Sequence, residues 1–423
     1  MEKERMRILK NGIRLYSYKN PALHSFYISL FLRAGSMYES DTESGITHFL
    51  EHVAIRNVNA VMGGGLYPLL DKYGIEFNAA TYSEMVQFYV SGSSKNFTVG
   101  ADILSQLMKP IVLSPSEIST ERDRIKAEIR ENDDRSSLAT FTAGIVHKDT
   151  TLARPITGSI GSVSRISRSR LEEYRRRVFT KENLFLYVTG AFEEEDLDAL
   201  AELFEGYGLA EGEPHENVAP TPADFFRRDG RVQLKNGDYT MVRFSFDMDM
   251  SKISVEESDL LYDILLGGYN SRFFIELSER RGIFYDLSGA TERYRNIGTL
   301  SFYYEVRPDA VTEAVALTLG LLKEMRETIL SEEECMKAGY VDNAYMLYDD
   351  PRELNFTFAY DNHVLAAGYE SLSERAQRYA SVTPERINEV FRQVFRRESL
   401  TLTVKGNRKR IDVRSLECLI DDF

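Results

Sequence analysis

Two histidines and a glutamate lie close together in the segment "GITHFLEHVAI", residues 45–55. On a helix with about 100° between successive residues, the apolar residues share one face. That face consists of Ile46, Phe49, Leu50 and Val53. His48, Glu51 and His52 fall on the opposite face. Since the two histidines are four residues apart, their imidazoles project from adjacent turns on the same side.

This arrangement suits two nitrogen ligands of one zinc ion, with Glu51 placed to act on a water molecule bound to that ion. The pattern H-x-x-E-H occurs among zinc peptidases. The competing interpretation is an ordinary solvated polar face. The chemical interpretation requires a third ligand elsewhere in the chain.

The composition is typical of a globular protein and restricts the possible functions. The chain has 423 residues, of which 43% are hydrophobic and 28% charged, and this length predicts two domains. A net charge of −14 argues against a nucleic-acid partner. The N-terminus lacks an apolar signal-like region, and no apolar run is long enough to span a membrane. Cys335 and Cys418 are too few for a disulfide framework. We therefore expect a cytoplasmic protein that does not bind membranes.

Two distant segments are similar at a constant offset of 216 residues, namely 166–190 and 382–406. Each has the pattern of a helix followed by an alternating strand that ends at a glycine. Seven identities fall in the last thirteen positions: Val178/Val394, Phe179/Phe395, Glu182/Glu398, Leu184/Leu400, Leu186/Leu402, Val188/Val404 and Gly190/Gly406. The repeat predicts two homologous domains, 1–210 and 231–423, joined by a linker at 211–230. The mixed order of strands and helices predicts an α+β fold in which helices cover a largely antiparallel sheet.

A second helix is predicted from Ser114 onward, where Ser114, Pro115 and Glu117 form a capping-box pattern. Its apolar stripe contains Ile118, Ile125 and Ile129. Glu121 and Glu128 flank this stripe. Two carboxylates at the edge of a core are costly to desolvate without a partner, and a metal ion would supply one.

The segments "RAGSMYESDTESGITHFLEH", "GIEFNAATYSEMVQFYV" and "ERDRIKAEIRE" together resemble the pitrilysin/insulinase family of zinc peptidases, M16. In that family a distal glutamate follows H-x-x-E-H by about 76 residues, and here 128 − 52 = 76. Further similarity runs through 153–163, 182–190 and 265–289. The resemblance implies the small-subunit M16B-type branch and an M16/LuxS-like metallohydrolase fold.

The resemblance also implies roles for individual residues. His48, His52 and Glu128 match the zinc ligands, and Glu51 matches the general base that takes a proton from zinc-bound water. Glu121 matches a carboxylate that supports the catalytic site. Asn78 and Ala79 fall in the segment that pairs with extended substrate. The implied activity is a zinc metalloendopeptidase acting on unfolded peptides or oligopeptides.

The second half departs from the family pattern of an arginine followed seven residues later by a tyrosine, a pair that contacts substrate. Tyr285 matches the catalytic and substrate-binding tyrosine, but the preceding position is Ser278. Either Arg280 or Arg272 takes the arginine's place, or a second M16-type subunit supplies the Arg–Tyr pair. The latter case makes this chain the zinc-bearing subunit of a heterodimer that encloses a chamber, whereas a homodimer is the alternative.

A non-proteolytic scaffold or assembly subunit of the same family is the competing function. Members of that kind have typically lost ligands from the H-x-x-E-H set, and this chain retains all of them. The substrate is left open between general oligopeptides and a ribosomally made precursor peptide.

Overall fold

The computed structural model describes residues 3–135, 137–215, 232–237, 239–267, 271–284, 287–335 and 337–423. The described strands, β1 to β11, are Arg5–Ile8, Arg14–Lys19, Ser25–Leu32, Glu76–Thr81, Val86–Ser93, Leu184–Gly190, Gln233–Lys235, Met241–Asp249, Leu287–Arg293, Ile297–Glu305 and Leu400–Lys405. The described α-helices are Ile46–Val61, Leu66–Tyr73, Phe97–Ser105, Pro115–Arg135, Ser137–Val146, Ile160–Arg165, Arg168–Val178, Glu194–Glu205, Val255–Leu266, Val311–Glu327, Lys337–Met346, Pro351–His363, Leu372–Ser381, Pro384–Val394 and Val413–Asp421.

The strands form two sheets with matching topology. The first has the order β1-β2-β6-β3-β5-β4, and the second has the order β7-β11-β8-β10-β9. Among the described strand pairs, β2–β6 in the first sheet and β7–β11 in the second are parallel, and the others are antiparallel. Among the described strands, the second sheet therefore reproduces the first without its outer strand β1. The predicted α+β fold with largely antiparallel sheets is confirmed.

The sequence repeat coincides with this structural repeat. Helix Arg168–Val178 and helix Pro384–Val394 lie 216 residues apart at both ends. Each leads into an inner strand of its sheet, β6 or β11, which begins at Leu184 or Leu400. The proposed boundaries at 210 and 231 remain predictions, because most of the predicted linker lies outside the described residues.

The inner strands β3 and β6 of the first sheet are buried on both faces. On β3, Phe26, Ile28, Leu30 and Leu32 pack into the core beneath the helices of the first half. Phe31 faces the other way and packs against helix Pro351–His363, here called the covering helix, which comes from the second half. The two halves are therefore joined through a shared apolar layer.

Asn355 of the covering helix is fully buried against this sheet. Its Oδ1 accepts a hydrogen bond from Ser29 Oγ at 2.7 Å. Its Nδ2 donates to the backbone carbonyl of Tyr187 at 3.0 Å. Because buried polar groups are costly when unpaired, this amide fixes where the covering helix docks.

No helix among the described residues is long and apolar enough to cross a membrane.

We expect Asn355→Ala to destabilise the fold by about 1–3 kcal/mol, because it leaves Ser29 Oγ and the Tyr187 carbonyl without this buried partner. Urea unfolding followed by circular dichroism measures the change. Asn343→Ala, at an exposed helical position, is the matched control and should change the unfolding midpoint little. Equal midpoints for the two variants would contradict this account of how the halves dock.

Candidate metal centre

Helix Ile46–Val61, here called the motif helix, carries His48, Glu51 and His52. It begins after Gly45, whose φ of 86° favours glycine. The buried carboxylate of Glu39 accepts hydrogen bonds from the backbone N–H groups of Gly45 and Thr47, at 2.8 and 2.9 Å. These bonds satisfy free N–H donors at the helix N-terminus. The negative charge of the carboxylate also stabilises the positive end of the helix dipole. The predicted apolar stripe is buried in the first core, so the histidines lie on the side of the helix away from that core.

Helix Pro115–Arg135, here called the glutamate helix, carries Glu121 and Glu128. The predicted capping box is present, since Glu117 accepts from Ser114 N–H at 2.8 Å and Glu117 N–H donates to Ser114 Oγ at 3.3 Å. Ile118 and Ile125 are fully buried, as expected for the core side. This packing brings the glutamates against the motif helix.

Three side chains converge where the two helices meet. His48 Nε2 lies 3.7 Å from Glu128 Oε1, and His52 Nε2 lies 3.5 Å from Glu128 Oε2. One ligand atom from each of the three residues can be chosen so that all lie within 4.8 Å of one another. The predicted metal-ligating residues therefore come together, although they are separated by up to 80 positions in sequence.

The spacing of these atoms fits a shared cation better than direct hydrogen bonds. Protein hydrogen bonds from nitrogen to oxygen span about 2.7–3.2 Å, which is shorter than both distances. Zinc bonds of about 2.0–2.2 Å in tetrahedral geometry separate neighbouring ligand atoms by roughly 3.3–3.6 Å. Two imidazoles and one carboxylate are also a donor set that zinc accepts in catalytic sites. The residues present fit a zinc ion.

The electrostatic surroundings set the protonation of the two histidines differently. Burial, together with the neighbouring His52, lowers the pKa of His48 to about 4, so its imidazole is neutral at neutral pH. Burial opposes a charge on His52, but the carboxylates of Glu128, Glu51 and Glu121 raise its pKa. A cation binding here competes with a proton on His52, as metal ions generally do at histidine.

Glu121 lies behind His52 rather than beside Glu128. Its Oε2 is 3.6 Å from His52 Nδ1. Its Oε1 accepts from Arg56 at 2.6 Å and from Arg124 at 2.9 Å. These two arginines, which sequence reasoning missed, compensate the charge of a carboxylate whose side chain is only 3% exposed. A carboxylate in this position can orient the imidazole of a ligand.

Glu51 faces a cavity of about 750 Å³, which His52 and Asn78 also line. Thr81 donates from Oγ1 to Glu51 Oε2 at 2.6 Å. Burial raises the pKa of Glu51, and the Thr81 hydrogen bond opposes that rise. Thr81 was also missed from sequence. Its place beside "FNAA" in β4 gives no hint of the partner, because Glu51 lies 30 residues away.

Asn78 and Ala79 belong to β4, which is the edge strand of the first sheet and pairs only with β5 among the described strands. Asn78 lines the cavity and Thr81 of the same strand contacts Glu51, so an open strand edge lies near Glu51. Extended peptides can add to such an edge through main-chain hydrogen bonds.

The second-half residues are only partly described. Tyr285 lies outside the described residues. Ser278 lies in a π-helical segment, Phe274–Glu279, and donates to the Phe284 carbonyl at 3.1 Å. Arg280 pairs with Glu276, and Arg272 pairs with Glu334.

Two family models match the chain in succession. The model described as insulinase, peptidase family M16, matches residues 14–159, which include the motif helix and the glutamate helix. The model described as the peptidase M16 inactive domain matches residues 165–338, which include Ser278.

Relatives and solved structures agree with these matches. An uncharacterized zinc protease of Mycobacterium tuberculosis is 24% identical over 404 residues, covering 92% of this chain and 90% of that protein. An uncharacterized zinc protease of Bacillus subtilis is 21% identical, covering 91% and 94%. A protease from Helicobacter pylori has a TM-score of 0.84 at 16% identity, covering 96% and 100%. The periplasmic protease PqqL from Escherichia coli has a TM-score of 0.80 at 18% identity, covering all of this chain and 50% of that one.

We expect the purified chain to bind about one zinc ion, and His48→Ala or His52→Ala to abolish tight binding, because two ligands hold zinc far more weakly than three. Elemental analysis after dialysis measures the zinc content. His24→Ala removes an exposed histidine outside the cluster and should leave the zinc content unchanged. Undiminished zinc in both cluster variants would refute the assignment.

Proposed function

Because this chain belongs to the insulinase family of peptidases, M16, we propose that it is a zinc metalloendopeptidase that cleaves unfolded peptides. The observation that carries the proposal is the convergence of His48, His52 and Glu128 from two helices, with Glu51 beside them on a cavity wall. The zinc proteases named among its relatives support the same activity.

His48, His52 and Glu128 would hold the metal ion. When bound there, zinc supplies Lewis acidity, which polarises a peptide carbonyl and makes a water molecule more acidic. Glu51 accepts the proton of the attacking water and then donates it to the leaving amine. Its raised pKa suits the second of these transfers, because the carboxyl group holds the proton more readily than an exposed glutamate does.

Other residues orient this machinery. Glu121 holds the ring of His52 through Nδ1 and is itself held by Arg56 and Arg124. Thr81 fixes one oxygen of Glu51 and leaves the other for proton transfer. We assign Glu121 and Thr81 as positioning residues, since each acts through a neighbouring side chain.

The substrate would bind in an extended conformation along β4. Asn78 and Ala79 lie on that open edge, and Asn78 lines the same cavity as the proposed base. Main-chain hydrogen bonds do not depend on the side chains of the peptide. The protein would therefore select substrates mainly by whether they are unfolded. This supports general oligopeptides or a flexible precursor peptide as the substrate class.

We further propose that a second M16-type subunit completes the active site. Ser278 cannot supply the forked cationic donor of an arginine. Arg280 and Arg272 are already paired with glutamates on their own half. The match of residues 165–338 to an inactive-domain model and the doubled length of PqqL both support pairing of two such units. A homodimer is the alternative assembly.

We expect Glu51→Gln to retain zinc and to lower peptide cleavage by about 10²-fold or more, because the amide cannot accept a proton. A quenched fluorescent peptide measures cleavage, and elemental analysis measures zinc. Glu172→Gln, which alters only a surface ion pair, is the matched control. Near-normal cleavage by Glu51→Gln would require a different base. A wild-type chain that binds zinc but never cleaves, alone or paired, would favour the scaffold function.

We expect this chain alone to bind zinc yet to cleave poorly. Adding a second M16-type chain that carries the Arg–Tyr pair should restore cleavage, since both parts must hold the substrate against the metal site. Mutating that arginine in the added chain should then cost more activity than Tyr285→Phe here. Assays of each chain separately and mixed make the comparison. Full activity of this chain alone, with a large loss on Tyr285→Phe, would support the homodimer instead.

A further inference from the structure

A cleft of about 840 Å³ lies where the two halves meet, apart from the candidate metal centre. It is lined by Arg14 and Arg33 from one end of the first sheet and by Arg295 from the hairpin turn between β9 and β10. His215 and His363 also line it. Positively charged side chains from both halves therefore face one space.

Arg33 is the most deeply placed of these cations. Its Nη2 donates to the backbone carbonyl of His363, while its Nε is buried without a hydrogen-bond partner among the described residues. Burial, followed by the nearby charge of Arg14, lowers the pKa of Arg33. A buried guanidinium with an unpaired Nε is costly, and a bound anion that accepts a hydrogen bond from Nε would lower that cost.

The other two arginines are likewise available to a ligand. Arg14 donates to the Glu182 backbone carbonyl at 3.1 Å. Among the described residues, no carboxylate oxygen lies within 4.0 Å of Arg14, Arg33 or Arg295. Arginine–carboxylate pairs at distances up to 4.0 Å do occur elsewhere in the molecule. Three arginines from the two halves thus share a cleft without forming ion pairs to any described residue.

Glu84 is the acidic residue among the described residues that line the cleft. Tyr360 donates to its Oε2 at 2.9 Å. Burial raises the pKa of Glu84 to about 7, while the Tyr360 hydrogen bond and the charge of Arg33 oppose that rise. This single carboxyl group offsets at most one of the three positive charges.

We propose that this cleft binds the phosphoryl group of a small phosphorylated molecule, with Arg33 at its base and Arg14 and Arg295 closing on it from the two halves. Three arginines and one glutamate on the described lining leave at least two positive charges, which match a dianion better than a single carboxylate. Guanidinium groups also pair with phosphate oxygens through two parallel hydrogen bonds. The cleft volume lies within the range of about 300–1,000 Å³ that is typical of small-molecule sites, so it accommodates more than the phosphoryl group.

Isothermal titration calorimetry of the full chain with inorganic phosphate tests this proposal. A parallel titration with sodium acetate at equal ionic strength shows whether a single carboxylate binds equally well. Phosphate should bind saturably with a dissociation constant of about 1 mM or lower, and acetate should not. Arg14→Gln and Arg295→Gln should each weaken phosphate binding about tenfold, because each loses a charge-assisted contact. Arg307→Gln, an exposed arginine outside the cleft, is the matched control and should bind normally.

The His48→Ala variant separates this site from the metal centre. It should bind phosphate as the wild-type chain does, whatever its zinc content or peptidase activity. Loss of phosphate binding in His48→Ala would place the anion at the metal site and overturn the proposal. Absence of saturable binding, equal binding of acetate, or unchanged affinity in both Arg14→Gln and Arg295→Gln would also overturn it. Thermal unfolding of each variant checks that it is folded. Arg295→Gln is a substitution in an exposed turn and should unfold at the same temperature as the wild-type chain.

Discussion

Carboxylates cannot be buried beside imidazoles at low cost unless a positive charge is shared among them. Glu128 stands 3.5–3.7 Å from two histidine nitrogens, too far for hydrogen bonds and close enough for one bridging cation. Glu121 behind His52 has its own positive charges in Arg56 and Arg124. The candidate metal centre therefore depends on a fixed distance between the motif helix and the glutamate helix.

The fold keeps that distance fixed by anchoring both helices on the first sheet. Their apolar stripes enter a single core, and Glu39 holds the start of the motif helix. The opposite face of the same sheet is covered by a helix from the second half, through buried Asn355. A sheet covered on both faces is a rigid base for residues that must be placed to within fractions of an ångström.

Features with a local cause were predictable from the sequence. The motif helix and the capping box at Ser114 follow from the spacing of neighbouring residues. The repeat at an offset of 216 residues follows from identities between two segments that each fold locally, and all three features are present in the structure. Contacts created by topology were not predictable. Thr81 reaches Glu51 because β4 lies along the motif helix, and the arginine cleft exists because the β9–β10 turn meets the end of the first sheet. Spacing in the sequence carries no trace of either contact.

Anomalous diffraction at the zinc absorption edge, from crystals of the zinc-loaded chain, tests the central claim most directly. The account predicts one strong peak between the motif helix and the glutamate helix, with His48 Nε2, His52 Nε2 and a Glu128 oxygen each about 2.0–2.2 Å from it. A peak ligated by other side chains, or no peak between these helices in zinc-replete crystals, would contradict it.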